Sequence, residues 1–402
     1  PDTDRKVFYN ANFGQKPFSY TPPTGYVALC SKNISNEFVD ITDVSSEGSG
    51  KVVIRPQRFF DTVLYSGNGG TQSITGLEFS PDFVWIKMRS HSGDNHHLYD
   101  SVRGPVKTLF SNTTSAEQPN DTDRLTSFDS NGFTLGNNYR VNGSGKTFVA
   151  WCWKAGGAAV TNTVGTISSQ VSANDEAGFS IVTYTGDGGS SGSVGTGLRQ
   201  NQPLGMAIVK RRDATSDWQV GHQGMVAGQE RNFAYHCNLN DTSSASGSAP
   251  YHMGTQNATL TDRLYLAAGG LTSGANYVAY VWQERPGYSK MGVYRANNSS
   301  NGAYFYCGFR PAFIMLKNAD NGSAPWYIID TKRNPENECR KSLKANTGDS
   351  EVTDSNFIDF LSNGFKLRTD GGYVNNSYHR IFYMAFAEQP GRTEFNLVTN
   401  AR

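Results

Sequence analysis

His91, His96 and His97 crowd one short stretch with Asp94 and Asp100 beside them, and imidazole next to carboxylate is the chemistry of a metal site. The spacing fits no structural zinc pattern, and no cysteine joins the group. His96 and His97 are neighbours, so on a strand they face opposite sides. A solvated loop is the expectation. Asp187 with Asp213 or Asp217 invites calcium, but no 12-residue acidic loop is present. Gly186-Asp-Gly-Gly-Ser-Ser-Gly192 lacks the Lys-Ser/Thr and the following helix of a phosphate loop.

Two further sets recur along the chain. Asp100 and Asp330 each follow an apolar pair and precede a Ser or Thr and a basic residue. A glycosidase needs two carboxylates flanking a cleft, and no second recurring acid accompanies them. They read as turn-forming or buried aspartates that accept from backbone amides, Arg103 or Lys332. Lys87, Lys210 and Lys317 each end an apolar run, where a lysine ordinarily carries its ammonium out into water. What remains are aromatic side chains among amides, which suit the ring faces and hydroxyls of a sugar. The candidate glycan contacts are Tyr139 with Asn137 and Asn138, Tyr373 with Asn375 and Asn376, and Trp218. No catalytic residue, cofactor or metal is expected.

The recurrences have a common origin in the elements that carry them. Tyr65-Ser-Gly-Asn-Gly-Gly, Tyr184-Thr-Gly-Asp-Gly-Gly and Tyr294-Arg-Ala-Asn-Asn-Ser each precede a proline that opens an apolar run ending in lysine. The runs are Pro81-Asp-Phe-Val-Trp-Ile-Lys87, Pro203-Leu-Gly-Met-Ala-Ile-Val-Lys210 and Pro311-Ala-Phe-Ile-Met-Leu-Lys317. Phe128-Asp-Ser-Asn-Gly-Phe-Thr-Leu135 answers Phe360-Leu-Ser-Asn-Gly-Phe-Lys-Leu367. The copies close on Phe148-Val-Ala-Trp151, Tyr277-Val-Ala-Tyr280 and Phe382-Tyr-Met-Ala-Phe386. One unit has been copied in tandem. At roughly 100 residues each copy is of domain size and is expected to have its own core.

The elements read as strands, short, β-branched and aromatic, bounded by Gly, Asn, Asp and Ser. Asn131-Gly132 and Asn363-Gly364 sit where a hairpin wants positive φ, and no sustained helical period appears. The fold class is all-β, three tandem β-sandwich units of jelly-roll or concanavalin-like type after an N-terminal fragment of another sandwich. The divisions are 1–58 (N-terminal segment and connector), 59–157 (copy one), 158–177 (linker), 178–286 (copy two) and 287–402 (copy three with a tail). Almost no linker separates copies two and three, so they are expected to pack rigidly while copy one sits apart. A chain opening at Pro1 without Met reads as a piece of something longer.

Composition narrows function. The formal net charge is +1, so no overall field recruits nucleic acid. Charged residues are 18% against 12% aromatics, a mix that suits uncharged, tyrosine-rich surfaces. No window of 18 apolar residues marks a membrane span. The five cysteines, Cys30, Cys152, Cys237, Cys307 and Cys339, do not recur between copies and read as reduced thiols.

The string Asn12-Phe-Gly-Gln-Lys-Pro-Phe-Ser-Tyr-Thr-Pro-Pro-Thr-Gly25 resembles the end of a SPRY-type sandwich in tailed-phage virion proteins. Phe83-Val-Trp-Ile-Lys87, His97-Leu-Tyr-Asp-Ser-Val-Arg-Gly104 and Val141-Asn-Gly-Ser-Gly-Lys-Thr-Phe-Val-Ala-Trp151 resemble the repeated domain that follows it there. The second copy departs from the pattern by lacking the Asp-Ser-x-Gly-Phe hairpin, and Gly391 to Arg402 keeps little of the usual ending. The resemblance implies a tail fibre, spike or other structural protein of the virion, surrounded by other phage proteins and carrying no catalytic motif. It also implies a homotrimer, with a host surface glycan as the candidate target. A purely structural virion role and a polysaccharide depolymerase are the alternatives.

Overall fold

The structure, a computed structural model, describes residues 55–225, 233, 235–246, 252–257, 260–376 and 378–388, with short strands at 391–392 and 398–399. The SPRY-like string, most of the connector and Cys30 lie outside the described residues. Two compact units divide the chain. In the unit formed by Pro1–Ser49 and Pro390–Ala401, Gly391–Arg392 pairs antiparallel with Val398–Thr399. The other unit, Gly50–Gln389, holds all three copies.

Copy one contains β1 (Phe60–Ser66), β2 (Gln72–Thr75), β3 (Phe83–Met88), β4 (His97–Asp100), β5 (Leu109–Phe110), β6 (Leu125–Asp129), β7 (Gly132–Leu135), the one-turn helix α1 (Tyr139–Asn142) and β8 (Thr147–Trp153). Its main sheet runs β1-β8-β3-β4-β5, covered by β2-β7-β6. Copy two has β9 (Val160–Asn162), β10 (Ser169–Asn174), β11 (Phe179–Thr185), β12 (Ser191–Gly195), β13 (Leu204–Arg211), β14 (Trp218–His222), β15 (His236–Asn238), β16 (Arg263–Ala267) and β17 (Asn276–Gln283). The main order returns as β11-β17-β13-β14-β15, with β12-β16 as cover. Copy three has β18 (Ser289–Arg295), β19 (Tyr304–Tyr306), β20 (Pro311–Asn318), β21 (Tyr327–Asp330), β22 (Cys339–Lys344), β23 (Val352–Leu361), β24 (Gly364–Leu367) and β25 (Arg380–Ala387). Here β18-β25-β20-β21-β22 continues through β23 and β24 to β19, so main and covering sheets join. The protein is all-β and of the sandwich class.

Side-chain alternation explains why three sandwiches make one body. Every residue of β3 is buried. Val84, Ile86 and Met88 pack under their own cover with Ile74, Phe133 and Leu135. Phe83 and Trp85, pointing the other way, join a core built from all three copies, with Ile208 and Tyr280 of copy two and Phe313 and Phe386 of copy three. A strand buried on both faces reads as a continuous apolar run rather than an alternating one. Trp153 sits between the copies, its ring 5.3 Å from Phe83, 6.3 Å from Trp282 and 5.9 Å from Phe313. Each copy does keep its own sandwich core. Copy one does not sit apart, because the back of every main sheet is apolar and only the other two copies cover it. The expected linker 158–177 is also corrected: β10 pairs with β11 and β9 with β10, extending the sheet of copy two.

The Asn-Gly turns work differently from expectation. Neither Asn131 nor Asn363 has positive φ, nor do Gly132 and Gly364. Each glycine instead lies where the covering strands touch. A Cβ on Gly132 would stand 1.8 Å from the Ile74 carbonyl oxygen, and one on Gly364 2.0 Å from that of Phe305. The described cysteines, Cys152, Cys237, Cys307 and Cys339, are buried free thiols. Burial pushes Cys237, Cys307 and Cys339 up to about 12.

Gly132→Ala is expected to destabilise the protein by about 3 kcal/mol, at the upper end of overpacking costs because backbone cannot yield as a side chain does. Urea unfolding measures it. Gly145→Ala is the contrast: its φ is +71° but nothing lies within 4 Å of the added Cβ, so strain alone costs about 1 kcal/mol.

Candidate functional site

The recurrent residues meet at the three seams between copies, and each seam is built head to tail. Lys87, Lys210 and Lys317 are fully buried, which overturns the expectation of ammonium groups in water. Each Nζ donates to one carbonyl of its own copy and one of the preceding copy in the ring. Lys210 reaches Ser216 at 2.6 Å and Thr114 of copy one at 3.0 Å. Lys317 reaches Ala324 at 2.6 Å and Thr242 of copy two at 2.8 Å. Lys87 reaches Asp94 at 3.0 Å and Gly348 of copy three at 3.3 Å. Leaving water disfavours the charged form, so each lysine is pushed down to about 8.

Across the strand from each lysine stands a ring whose nitrogen crosses the same seam. Trp218 Nε1 donates to the Phe110 carbonyl and Trp326 Nε1 to that of Asn238, both at 2.8 Å. His96 holds the matching place in copy one, its Nε2 3.0 Å from the Lys344 carbonyl. Its Nδ1 accepts from Trp85 Nε1 at 2.8 Å, so Nε2 carries the proton and the ring is neutral. The histidines are therefore not a solvated loop: His96 and His97 are fully buried, and only His91 is exposed. Among the described residues no group of His, Cys, Asp and Glu is arranged to hold a metal ion. Asn112, Asn240 and Asn346 complete the pattern, each Oδ1 accepting the backbone N–H of His96, Trp218 or Trp326.

The two aspartates lie at the same seams. Asp100 accepts from the backbone N–H and the Nε of Arg103, and its Oδ2 accepts from Tyr280 OH of copy two at 2.7 Å. Asp330 is held the same way by Arg333, rather than by the expected Lys332, and accepts from Trp151 Nε1 of copy one at 3.0 Å. Lys332 turns instead to Asp61 at 3.4 Å. A glutamate then bridges two arginines. Glu117 takes Arg103 and, through two bonds of 2.9 Å, Arg212 of copy two. Glu351 takes Arg333 and, through two bonds of 2.9 Å, Arg89 of copy one.

The seam between copies two and three keeps the backbone geometry and loses this chemistry. The Ala245 N–H donates to the Ala319 carbonyl at 2.7 Å, where Glu117 meets Arg212 and Glu351 meets Arg89 in the other seams. His222 and Met225 take the places of the Asp–Arg pair. His222 accepts from Gly224 N–H at Nδ1, bonds the Tyr383 carbonyl through Nε2 at 3.1 Å, and stacks 4.7 Å from Phe382. Arg89 and Arg212 were legible as lysine-plus-two residues, but the sequence reading passed over them.

The expected glycan contacts fall into buried and exposed sets. Trp218 is fully buried against Tyr280 and cannot meet a ligand. Asn375 is also fully buried, donating to the Ser299 and Thr369 carbonyls and accepting from Asn297 N–H. Its counterpart is Asn142, which anchors the Asn68 turn in copy one. Asn138 caps α1 and bonds Asp123. Asn376 is half-buried and accepts from the His379 N–H. Asn137, Tyr139 and Tyr373 remain exposed, with the Lys146 ammonium 5.8 Å over the Tyr139 ring.

A cleft of about 420 Å³ opens between copies one and three, lined by Gln57, Asp61, Glu78, Thr331, Lys332 and Glu388 among others. Burial raises Asp61, with Lys332 opposing. In the first seam the matching place holds the connector out of copy one, whose Ala155 and Gly157 N–H groups donate to Asp82. In the second seam Glu284 fills it, accepting from Gln223 and the Met291 N–H.

Residues 55–390 match the family described as a domain of unknown function (DUF7483), and the chain belongs to that family. Comparison with curated proteins gives no match.

Three outcomes follow from the seams. Lys317→Met leaves the buried Ala324 carbonyl and the half-buried Thr242 carbonyl without their donor and is expected to destabilise by about 2–4 kcal/mol, read by urea unfolding at neutral pH. His222 and His252 are pushed down to about 3 by burial, and His96 and His97 are lowered too. With folded values depressed, the unfolded chain binds more protons below 6.5. Stability is therefore whole above that pH and is lost as pH falls towards 3, by about 1.4 kcal/mol per unit for each histidine. Urea titrations between neutral pH and about pH 5 test this, and His222→Leu should remove its share of the slope. Finally, copy one alone carries both halves of the polar seam, Asp100–Arg103–Glu117 on one side and Lys87, Arg89 and Trp151 on the other. Residues 55–157 expressed alone are expected to sediment as a trimer, closing the same heterologous ring. Residues 178–286, with one half replaced by His222, Met225 and Ala245, are not.

Proposed function

We propose that this member of the DUF7483 family is a non-enzymatic phage virion protein, a tail fibre or spike acting in host-surface attachment through its β-sandwich units. The observation behind this reading is where the recurrent ionisable residues lie. The lysines and aspartates that first suggest chemistry are engaged inside the seams, together with the arginines and glutamates beside them. The outward surface offers aromatic side chains, of which Tyr304, Tyr306, Tyr373 and Tyr378 are all on copy three. A rigid ring bearing aromatic and amide groups suits a module that holds a surface out towards a target. Its partners are the neighbouring virion proteins, and association of whole chains as a homotrimer multiplies weak contacts into avidity. No helix among the described residues is long and apolar enough to cross a membrane.

The depolymerase alternative rests on the cleft, where Asp61, Glu78 and Glu388 line one groove. A reducing-sugar release assay on host polysaccharide, run with the chain and with Asp61→Asn, decides against it when neither releases sugar above background. The attachment reading is tested by cryo-electron microscopy of whole particles. Density for the chain at a distal position is the expected result. Density built into the capsid or tail wall overturns attachment in favour of a structural component.

A further inference from the structure

The covering sheets of copies one and three share a register, and on their outward faces Ser73, Thr75 and Thr134 give way to Tyr304, Tyr306 and Lys366. In copy one Ser73 lies opposite Thr134 and Thr75 opposite Gly132, with Ile74 between them turned inward. In copy three Tyr304 lies opposite Lys366 and Tyr306 opposite Gly364, with Phe305 between them packed 4.2 Å from Tyr294. Two hydroxyl residues that would leave the face polar are thus two aromatic rings, 42% and 66% exposed. They project from β19, the last strand of its sheet. Residues two apart on a strand share a face, so both rings rise from the outward face. The Tyr304 ring lies over Gly364, its Cε2 3.0 Å from where a Cβ there would stand. Tyr304 is fixed, its OH lying 2.5 Å from Asn363 Oδ1 and 3.0 Å from the Asn363 carbonyl oxygen, which leaves the Asn363 Nδ2 donor free of this contact. Lys366 donates to Asn301 at 2.6 Å, which gives the rings a rim of amides and one ammonium.

From this we infer that Tyr304 and Tyr306 form a platform for the pyranose rings of a neutral glycan, with Asn301, Asn363 and Lys366 meeting its hydroxyls. The inference rests on the attachment reading above and gives that reading an address, on β19 of copy three rather than on the loops around Tyr139 or Asn375. Size argues for a sugar over a protein partner. Two tyrosines bury about 300–500 Å² even when fully covered, against roughly 800 Å² per partner in a stable protein interface. Chemistry argues the same way: ring faces take the C–H faces of a sugar, while amide and ammonium donors take its hydroxyls.

The test titrates the full chain with maltohexaose, cellohexaose and N-acetylchitohexaose, following binding by calorimetry. The comparison variant, Tyr304→Ser with Tyr306→Thr, installs the residues that copy one carries in the same register. Tyr378→Ser removes an exposed tyrosine elsewhere on copy three. At least one saccharide is expected to bind with a dissociation constant of about 1 mM or tighter. The double variant should weaken that binding at least about tenfold with an unchanged melting temperature, and Tyr378→Ser should leave it intact. Equal binding by the double variant overturns the site while leaving attachment standing. Loss on Tyr378→Ser instead overturns it too, and so does a wild-type chain that binds none of the three. Failure of attachment itself is read independently, from the position of the chain on the particle.

Discussion

The structure depends on covering the back of each main sheet. A single sandwich hides one face of its main sheet under a cover and leaves the other face apolar. Phe83 and Trp85, Met206 and Ile208, and Phe313 and Met315 all point away from their own covers. No copy can satisfy that face alone, because folding follows removal of apolar surface from water. Three copies turned inward satisfy one another, and Trp153 touches rings from all three. The buried lysines follow from the same arrangement. They end the inward-facing runs where loops of two copies converge, and six carbonyl oxygens there need donors.

The seams also show how polar groups are kept or removed together. Where Glu117 meets Arg212, and where Glu351 meets Arg89, the neighbouring aspartate has an arginine and a ring donor. Where alanines stand in for glutamate and arginine, the aspartate, its arginine and the ring donor are replaced as well, by His222, Met225 and Met384. A half-removed network would leave a buried charge unpaired, which costs several kcal/mol, whereas an apolar replacement of the whole set is close to neutral. Among the described residues, then, the seam between copies two and three is not a damaged version of the other two but a second consistent solution.

Much of this was legible in the sequence. Strand positions, the tandem copies and the equivalence of Asp100 with Asp330 came from spacing and β-rich composition. The shared core was not read, although Phe83-Val-Trp-Ile-Lys87 carried its signal: an apolar run without alternation belongs to a strand covered on both faces. The lysines were misread because a charge closing an apolar run is ordinarily an edge residue in water, and only the neighbouring copy supplies the carbonyls that make burial tolerable. Trp218 was taken as a surface ring for the same reason, its partner Phe110 being far away in the chain. Tyr304 and Tyr306 were passed over because their meaning lies in the comparison with Ser73 and Thr75, which requires strand register rather than sequence similarity.

Having the ring closed within one polypeptide changes what a single substitution does. In a ring of three identical chains any altered position appears three times, at every seam and on every outer face. Here each position is written once. A seam can lose its charges without weakening the other two, and one outer face can acquire a pair of aromatic rings while its counterpart stays hydroxylated. The fusion turns a symmetric scaffold into three separately adjustable surfaces on a common frame.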